Sequence, residues 1–81
     1  MGAVPSDYML ILFNMDKPGV VGNVGMLLGK ENINIASLNM GRKDVGGKAV
    51  TVLNIDSPVS PEVLKKLSKL ENIIDVKSVK L

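Results

Sequence analysis

The amino-acid sequence predicts an α+β sandwich: a four-stranded antiparallel sheet with two helices on one face. Three observations carry this. The 81 residues are enough for one small domain and no more. Their hydropathy pattern runs strand, helix, strand, strand, helix, strand. The two halves also echo each other, because Asp16-Lys17-Pro18 and Asp56-Ser57-Pro58 each close an apolar strand shortly before a helix. Two right-handed strand-helix-strand units of this size interleave into one βαββαβ sheet of order 4-1-3-2, the ferredoxin-like arrangement, with the first and third strands inside.

Tyr8 to Met15 (YMLILFNM) is apolar on both alternating faces until Asn14, as a central strand requires. Asp16-Lys17-Pro18-Gly19 breaks it, with Pro18 suited to a first helical turn and Asp16 placed to meet the positive end of the helix dipole. From Val20 to about Lys30 the residues Val20, Val21, Val24, Leu27 and Leu28 recur at helical spacing and predict one buried stripe. Asn32-Ile33-Asn34 ends that helix. Ile35 to Arg42 mixes Ser37 and Asn39 with Ala36, Leu38 and Met40, which suits an edge strand. The loop Lys43 to Lys48, with Gly46 and Gly47, closes a hairpin onto an interior strand, Ala49 to Ile55. Ser60 as cap, Pro61 at the first position and Glu62 in the first turn open a second helix, whose apolar side is Val63, Leu64, Leu67 and Leu70. The last strand, Ile73 to Leu81, is expected to set Ile74, Val76 and Ser78 against Ile73, Asp75, Lys77, Val79 and Leu81.

Such a sheet leaves one face without helices, bearing either Met9, Ile11 and Phe13 or Leu10 and Leu12. A contiguous apolar patch of that kind marks an interface. The first helix adds to this, because Gly22, Gly25 and Gly29 fall together opposite the Val/Leu stripe. Each costs a helix interior about 1 kcal/mol relative to alanine. A bare face that lets a second backbone approach closely, against plain tolerance of poor helix formers on a wet surface, is the reading adopted.

Composition excludes more than it proposes. The chain is 46% hydrophobic and 22% charged, a globular balance. It contains neither cysteine nor histidine, so thiolate nucleophiles, imidazole bases, disulfides and the usual transition-metal ligands are absent. No cofactor is expected in this domain, no catalytic residue is assigned, and no metal ligand. Ten Lys and Arg against eight Asp and Glu give a net charge of +2, too small and too evenly spread to argue for nucleic acid or an anionic membrane. No apolar run reaches the roughly 18 residues of a membrane span, nor is there a signal peptide, so the expected compartment is the cytoplasm. Residues 1–6 read as a linker or the remnant of a cut, and 7–81 as the domain.

Where the first strand meets the first helix, free backbone N–H groups favour a carboxylate. Asn14 can donate or accept and Asp16 can accept from an ammonium, so this turn offers complementary parts for a zwitterionic amino acid, although turn formation alone also accounts for both. Asn34 lies between two isoleucines, where asparagine is commonly a turn residue. Three other readings fail. The glycines from Gly19 to Gly25 lie inside the helix pattern and no Gly-Lys-Ser/Thr follows, against a phosphate loop. The third strand, AVTVLNI, has no aromatic platform for RNA bases. Lys17 is the sole cation in the first turn, whereas acylphosphatases need an arginine there. Lys65, Lys66 and Lys69 read as a solvated face.

The string Asn14-Met15-Asp16-Lys17-Pro18-Gly19-Val20, followed by Asn32-Ile33-Asn34-Ile35-Ala36, resembles the signature of the ACT domain, a small regulatory module of amino-acid metabolism. The glycine-bearing helix, Gly41-Arg42-Lys43 and Gly46-Gly47-Lys48-Ala49 resemble more narrowly the C-terminal regulatory domains of bacterial D-3-phosphoglycerate dehydrogenases; the β chain of L-serine dehydratase has a similar tail. The resemblance implies a non-catalytic domain of an NAD-dependent enzyme of L-serine biosynthesis. Such domains pair side by side into an eight-stranded sheet, with L-serine held in the interface near the first helix. Carried over by position, the effector-binding residues are Asn14, Asp16 and Asn34, with the backbone of Lys17, Pro18, Gly19 and Val20 near the carboxylate, and Gly22, Gly25 and Gly29 in the interface. Serine-inhibited relatives carry His at the position of Asn14 and Asn at that of Asp16. The partners implied are an amino-acid effector, a second copy of the chain, and catalytic domains in the same polypeptide. The alternatives are the dehydratase β-chain domain and a structural dimerisation module that binds no effector.

Overall fold

The computed structural model describes residues 8–42, 44 and 46–81. The linker expected over 1–6 lies outside these residues, as do Lys43 and Val45 of the expected hairpin loop. In chain order the elements are β1 (Tyr8–Met15), α1 (Val20–Lys30), β2 (Ile35–Arg42), β3 (Lys48–Ile55), α2 (Pro61–Ser68) and β4 (Ile73–Lys80). All strand pairs are antiparallel and the order is β2-β3-β1-β4, which is the expected 4-1-3-2 read from the other edge. The third strand begins one residue earlier than the sequence pattern suggests, and the fourth ends one residue earlier.

Burial decides which face of the sheet is covered. Leu10 and Leu12 of β1 and Leu53 and Ile55 of β3 pack with Val24 and Leu28 of α1 and Val63 and Leu67 of α2, each no more than 5% exposed. Met9, Ile11 and Phe13 therefore take the side without helices. There they stand with Val50 and Val79, which are 40% and 37% exposed. Among the described residues no helix is long and apolar enough to cross a membrane.

Both helices begin as their sequences dictate, but by different means. At α2 the Ser60 hydroxyl accepts from the Val63 N–H at 3.2 Å and Pro61 follows it. At α1 the cap residue is Gly19, in the left-handed region at φ 89°, with no side-chain cap and no acid in the first turn. The expected role of Asp16 at this dipole is thus not realised. Its carboxylate turns toward β2 and the hairpin loop instead. After the helices, Asn32 and Asn72 both adopt positive φ, 59° and 67°, a conformation asparagine tolerates better than most side chains.

Two expectations about faces need correction. Val21 is 40% exposed and outside the core although it stands only about 20° around the helix from the fully buried Leu28; what separates the two is position along the axis, Val21 lying in the first turn of α1 and Leu28 two turns further on. In β4 the simple alternation fails at a register shift. Phe13 pairs with Asp75 but Asn14 pairs with Ile73, so Ile74 is the extra residue of a bulge and is 54% exposed, while Ile73 and Val76 both pack on the core.

The stripe can be tested directly. Leu28→Ala, at a fully buried position, should lower the unfolding free energy in urea by about 2–5 kcal/mol. Val21→Ala should change it by no more than about 0.5 kcal/mol.

Candidate functional site

The candidate residues gather at the end of the sheet where β1 delivers the chain to α1. Asn14 has its side chain on the helix-covered side of β1, fully buried among the leucines. A buried amide must find partners. Its Oδ1 accepts from the Thr51 hydroxyl at 2.9 Å and its Nδ2 donates to the Met15 carbonyl at 3.0 Å. Asn14 thus anchors the strand end from inside.

The next residues form a turn that is docked to the β2–β3 connection. The Asp16 N–H donates to the Gly47 carbonyl at 2.7 Å. Its carboxylate takes a hydrogen bond from Arg42 Nη1 at 2.7 Å and a longer one, 3.4 Å, from the Gly46 N–H. Gly46 can present that N–H because it sits at φ 80°, a conformation glycine adopts without strain. The Asp16 side chain is 14% exposed and that of Arg42 49%. Lys17, Pro18 and Gly19 are exposed and lead into α1, whose first residue, Val20, is buried. A carboxylate, a guanidinium and a helix N-terminus without a side-chain cap thus meet at one corner.

Asn34 is elsewhere. β2 begins at Ile35 opposite Ile55 of β3, and Ile55 lies opposite Tyr8 at the start of β1; Arg42 lies opposite Ala49, and Ala49 opposite Asn14. The register therefore puts Asn34 at the far end of the sheet, about 23 Å from Asn14 along the strand direction at ~3.3 Å per residue and two strands across. There its N–H donates to Asp56 Oδ1 at 2.9 Å and its carbonyl accepts from the Asp56 N–H at 3.1 Å. The Asn34 N–H, aided by the Ser57 hydroxyl, holds the Asp56 carboxyl below its ordinary pKa. One chain brings together Asn14, Asp16 and the turn from Lys17 to Val20, and leaves Asn34 apart from them.

The glycines of α1 present an empty face. A Cβ built at Gly22, Gly25 or Gly29 would meet no atom within 4 Å. Val21 and Met26, the latter 65% exposed, flank them. Beside this helix face β2 forms a sheet edge, since it pairs with β3 alone.

Two residues of this corner escaped the sequence reading as site residues, Thr51 and Arg42. Arg42 belongs to the Gly41-Arg42-Lys43 segment, where only its likeness to a family pattern drew attention. Thr51 stands in the apolar run of β3, and a single hydroxyl there carries no signal without the register that faces it to Asn14.

Against known proteins, the profile of the ACT domain family matches residues 8–72. The chain is 43% identical over 77 residues to D-3-phosphoglycerate dehydrogenase of Synechocystis sp., covering 95% of this chain and 14% of that protein. To the protein of the same name in Archaeoglobus fulgidus it is 45% identical over 80 residues, 96% of this chain and 15% of that one. It is 33% identical over 70 residues to a probable L-serine dehydratase β chain of Bacillus subtilis, 86% of this chain and 32% of that one. The chain thus spans about one seventh of the dehydrogenases it matches. Among solved structures, the ACT domain of the GTP pyrophosphokinase of Chlorobium tepidum superposes with a TM-score of 0.69 at 19% identity, over 94% of this chain and all of that one, which shows a shared fold.

Two measurements follow from the geometry. Thr51→Val leaves the Asn14 Oδ1 buried without its donor and should cost about 1–3 kcal/mol of stability in urea unfolding. For Asp56, a folded pKa below the unfolded one adds stability above the ordinary carboxylate range, which is lost as pH falls through the folded value. Thermal melts should place Asp56→Asn below the parent chain at neutral pH, with the gap closing at strongly acid pH.

Proposed function

The chain belongs to the ACT domain family, and from that premise we propose that it is the amino-acid-sensing and dimerisation domain of a D-3-phosphoglycerate dehydrogenase, with L-serine as effector and the catalysis residing in other domains. Residues 7–81 form that domain. The observation that carries the reading is the corner at the start of α1. Asp16 supplies a carboxylate for an ammonium, and the N-terminus of α1, which has no side-chain cap, supplies N–H groups and a dipole for a carboxylate. The matches to D-3-phosphoglycerate dehydrogenases support that enzyme as the parent, and the weaker match to a probable serine dehydratase β chain supports the alternative.

The separation of Asn34 from Asn14 and Asp16 supports a site shared by two copies. A two-fold axis beside the edge strand β2 sets two copies of that strand antiparallel, so the Asn34 end of one chain reaches the Asp16 end of the other. The same operation brings two α1 helices together on their glycine faces, where bare backbones pack closely. Free sheet edges, empty glycine faces and a divided site all fit one arrangement.

A second reading has its own support. Asn14 is fully satisfied inside the chain and Asp16 is already paired with Arg42, so both residues also serve a structural clasp that binds nothing. Calorimetric titration with L-serine, against glycine, L-cysteine and L-phenylalanine, separates the two. Saturable serine binding by a dimer supports the effector site, and a dimer indifferent to all four supports the clasp.

Complementation tests the sharing of the site. Asp16→Ala and Asn34→Ala should each abolish serine binding alone, while an equimolar mixture allowed to exchange subunits should recover about a quarter of the sites. A mixture as inert as its components would place the site within one chain. Gly25→Ala combined with Gly29→Ala should raise helix stability by up to about 1 kcal/mol per residue and shift the sedimenting mass toward the monomer. An unchanged dimer would remove the glycine face from the interface.

A further inference from the structure

The Arg42–Asp16 pair is placed where the effector reading needs Asp16 to be available. The carboxylate is enclosed, at 14% exposure, and it is occupied by the guanidinium at 2.7 Å and the Gly46 N–H at 3.4 Å. A ligand ammonium cannot simply be added to it; it must share or replace Arg42. The guanidinium, in contrast, is half exposed and uses one of its five N–H donors, the others having no partner among the described residues. It also lies at the end of β2, an edge strand of the sheet.

We propose that Arg42 joins the N-terminus of α1 in recognising the carboxylate of the effector, exchanging Asp16 for the carboxylate of an incoming α-amino acid while the amino acid's ammonium takes the place of the guanidinium on Asp16. The proposal rests on the effector reading given above. It assigns the specificity for a zwitterion to one exchange of partners: two charges on the protein are paired before binding, and two charge-assisted pairs exist after it. An amine without a carboxylate displaces Arg42 and leaves it with water alone. A carboxylic acid without an ammonium leaves Asp16 enclosed with no cation if it draws Arg42 away. Arginine suits the role better than lysine, because its planar fork can engage a carboxylate through two parallel bonds.

The test is calorimetric titration of the parent chain, Arg42→Gln and Arg42→Lys with L-serine and with L-serinamide, which keeps the ammonium and replaces the carboxylate by a neutral amide. The parent should prefer serine by about tenfold or more, the scale of one charged hydrogen-bonded pair. Arg42→Gln should lose most of that preference, about tenfold in the ratio of the two dissociation constants, and serinamide, which no longer has to displace the guanidinium from Asp16, should bind the variant at least as tightly as it binds the parent. Arg42→Lys should fall between the two. Arg42→Lys keeps a cation beside Asp16 and should melt near the parent, while Arg42→Gln leaves the enclosed carboxylate with the Gly46 N–H and should melt somewhat below it, still folded at the temperature of the titration. If Arg42→Gln keeps the parent's preference for serine over serinamide, Arg42 has no part in carboxylate recognition and the proposal is overturned. If the parent itself binds neither compound, the effector reading fails and this proposal fails with it.

Discussion

Holding one amide inside a layer of leucines constrains much of the rest of the molecule. Asn14 stands two residues beyond Leu12 on the covered side of β1, and burying it unpaired would cost more than most single contacts contribute. Thr51 meets one end of it and the Met15 carbonyl the other, which ties β1 to β3 at the point where the chain leaves the sheet. The β4 ladder shifts register at the same place, so that Ile73 rather than Ile74 packs opposite Asn14. Beyond this point the chain is free to turn, and Asp16 docks onto Gly47 and Arg42. The position of the corner proposed as the effector site is thus set from within the core.

Local pattern carried most of the fold and little of the site. The six elements, the strand order, the Ser60 cap and the edge position of β2 are legible because each follows from periodicity or from a residue with a fixed conformational preference, such as Pro61. The misplaced residues fail for identifiable reasons. Val21 has the chemistry of the stripe and nearly the angle of Leu28, but it stands in the first turn of α1 and is exposed there. Ile74 has the parity of the core face, yet a bulge, which no two-residue period encodes, moves it out. The β2 ladder shifts similarly between Ile35 and Ser37. Asp16 was legible as a carboxylate near a helix start, but its partner lies 26 residues away along the chain. Ion pairs of that range depend on register, which emerges only when the sheet is assembled.

The distribution of the candidate residues also separates two kinds of constraint. Asn14 and Thr51 are satisfied internally, and the single chain accounts for them. Gly22, Gly25 and Gly29 are not accounted for in this way. They weaken α1, and a Cβ at any of them would meet no atom within 4 Å, so packing among the described residues does not require them. Asn34 belongs to both groups: its backbone closes a reciprocal pair with Asp56, while its exposed side chain stands at the rim of the sheet.

The central position of β1 has a consequence for how the chain is made. β1 is the first strand of this domain to be synthesised, and it pairs with β3 on one side and with β4, the domain's last strand, on the other; Tyr8 aligns with Lys80. Until the end of the domain has been synthesised, the segment from Tyr8 to Phe13 has one unpaired edge and an incomplete cover, the situation that invites strand addition between nascent chains. Only the β2–β3 hairpin joins neighbouring strands directly, so the remaining pairings must close long loops before they contribute stability. The most apolar segment of the molecule is therefore its longest-waiting one, and dependence on chaperones during synthesis would be concentrated there.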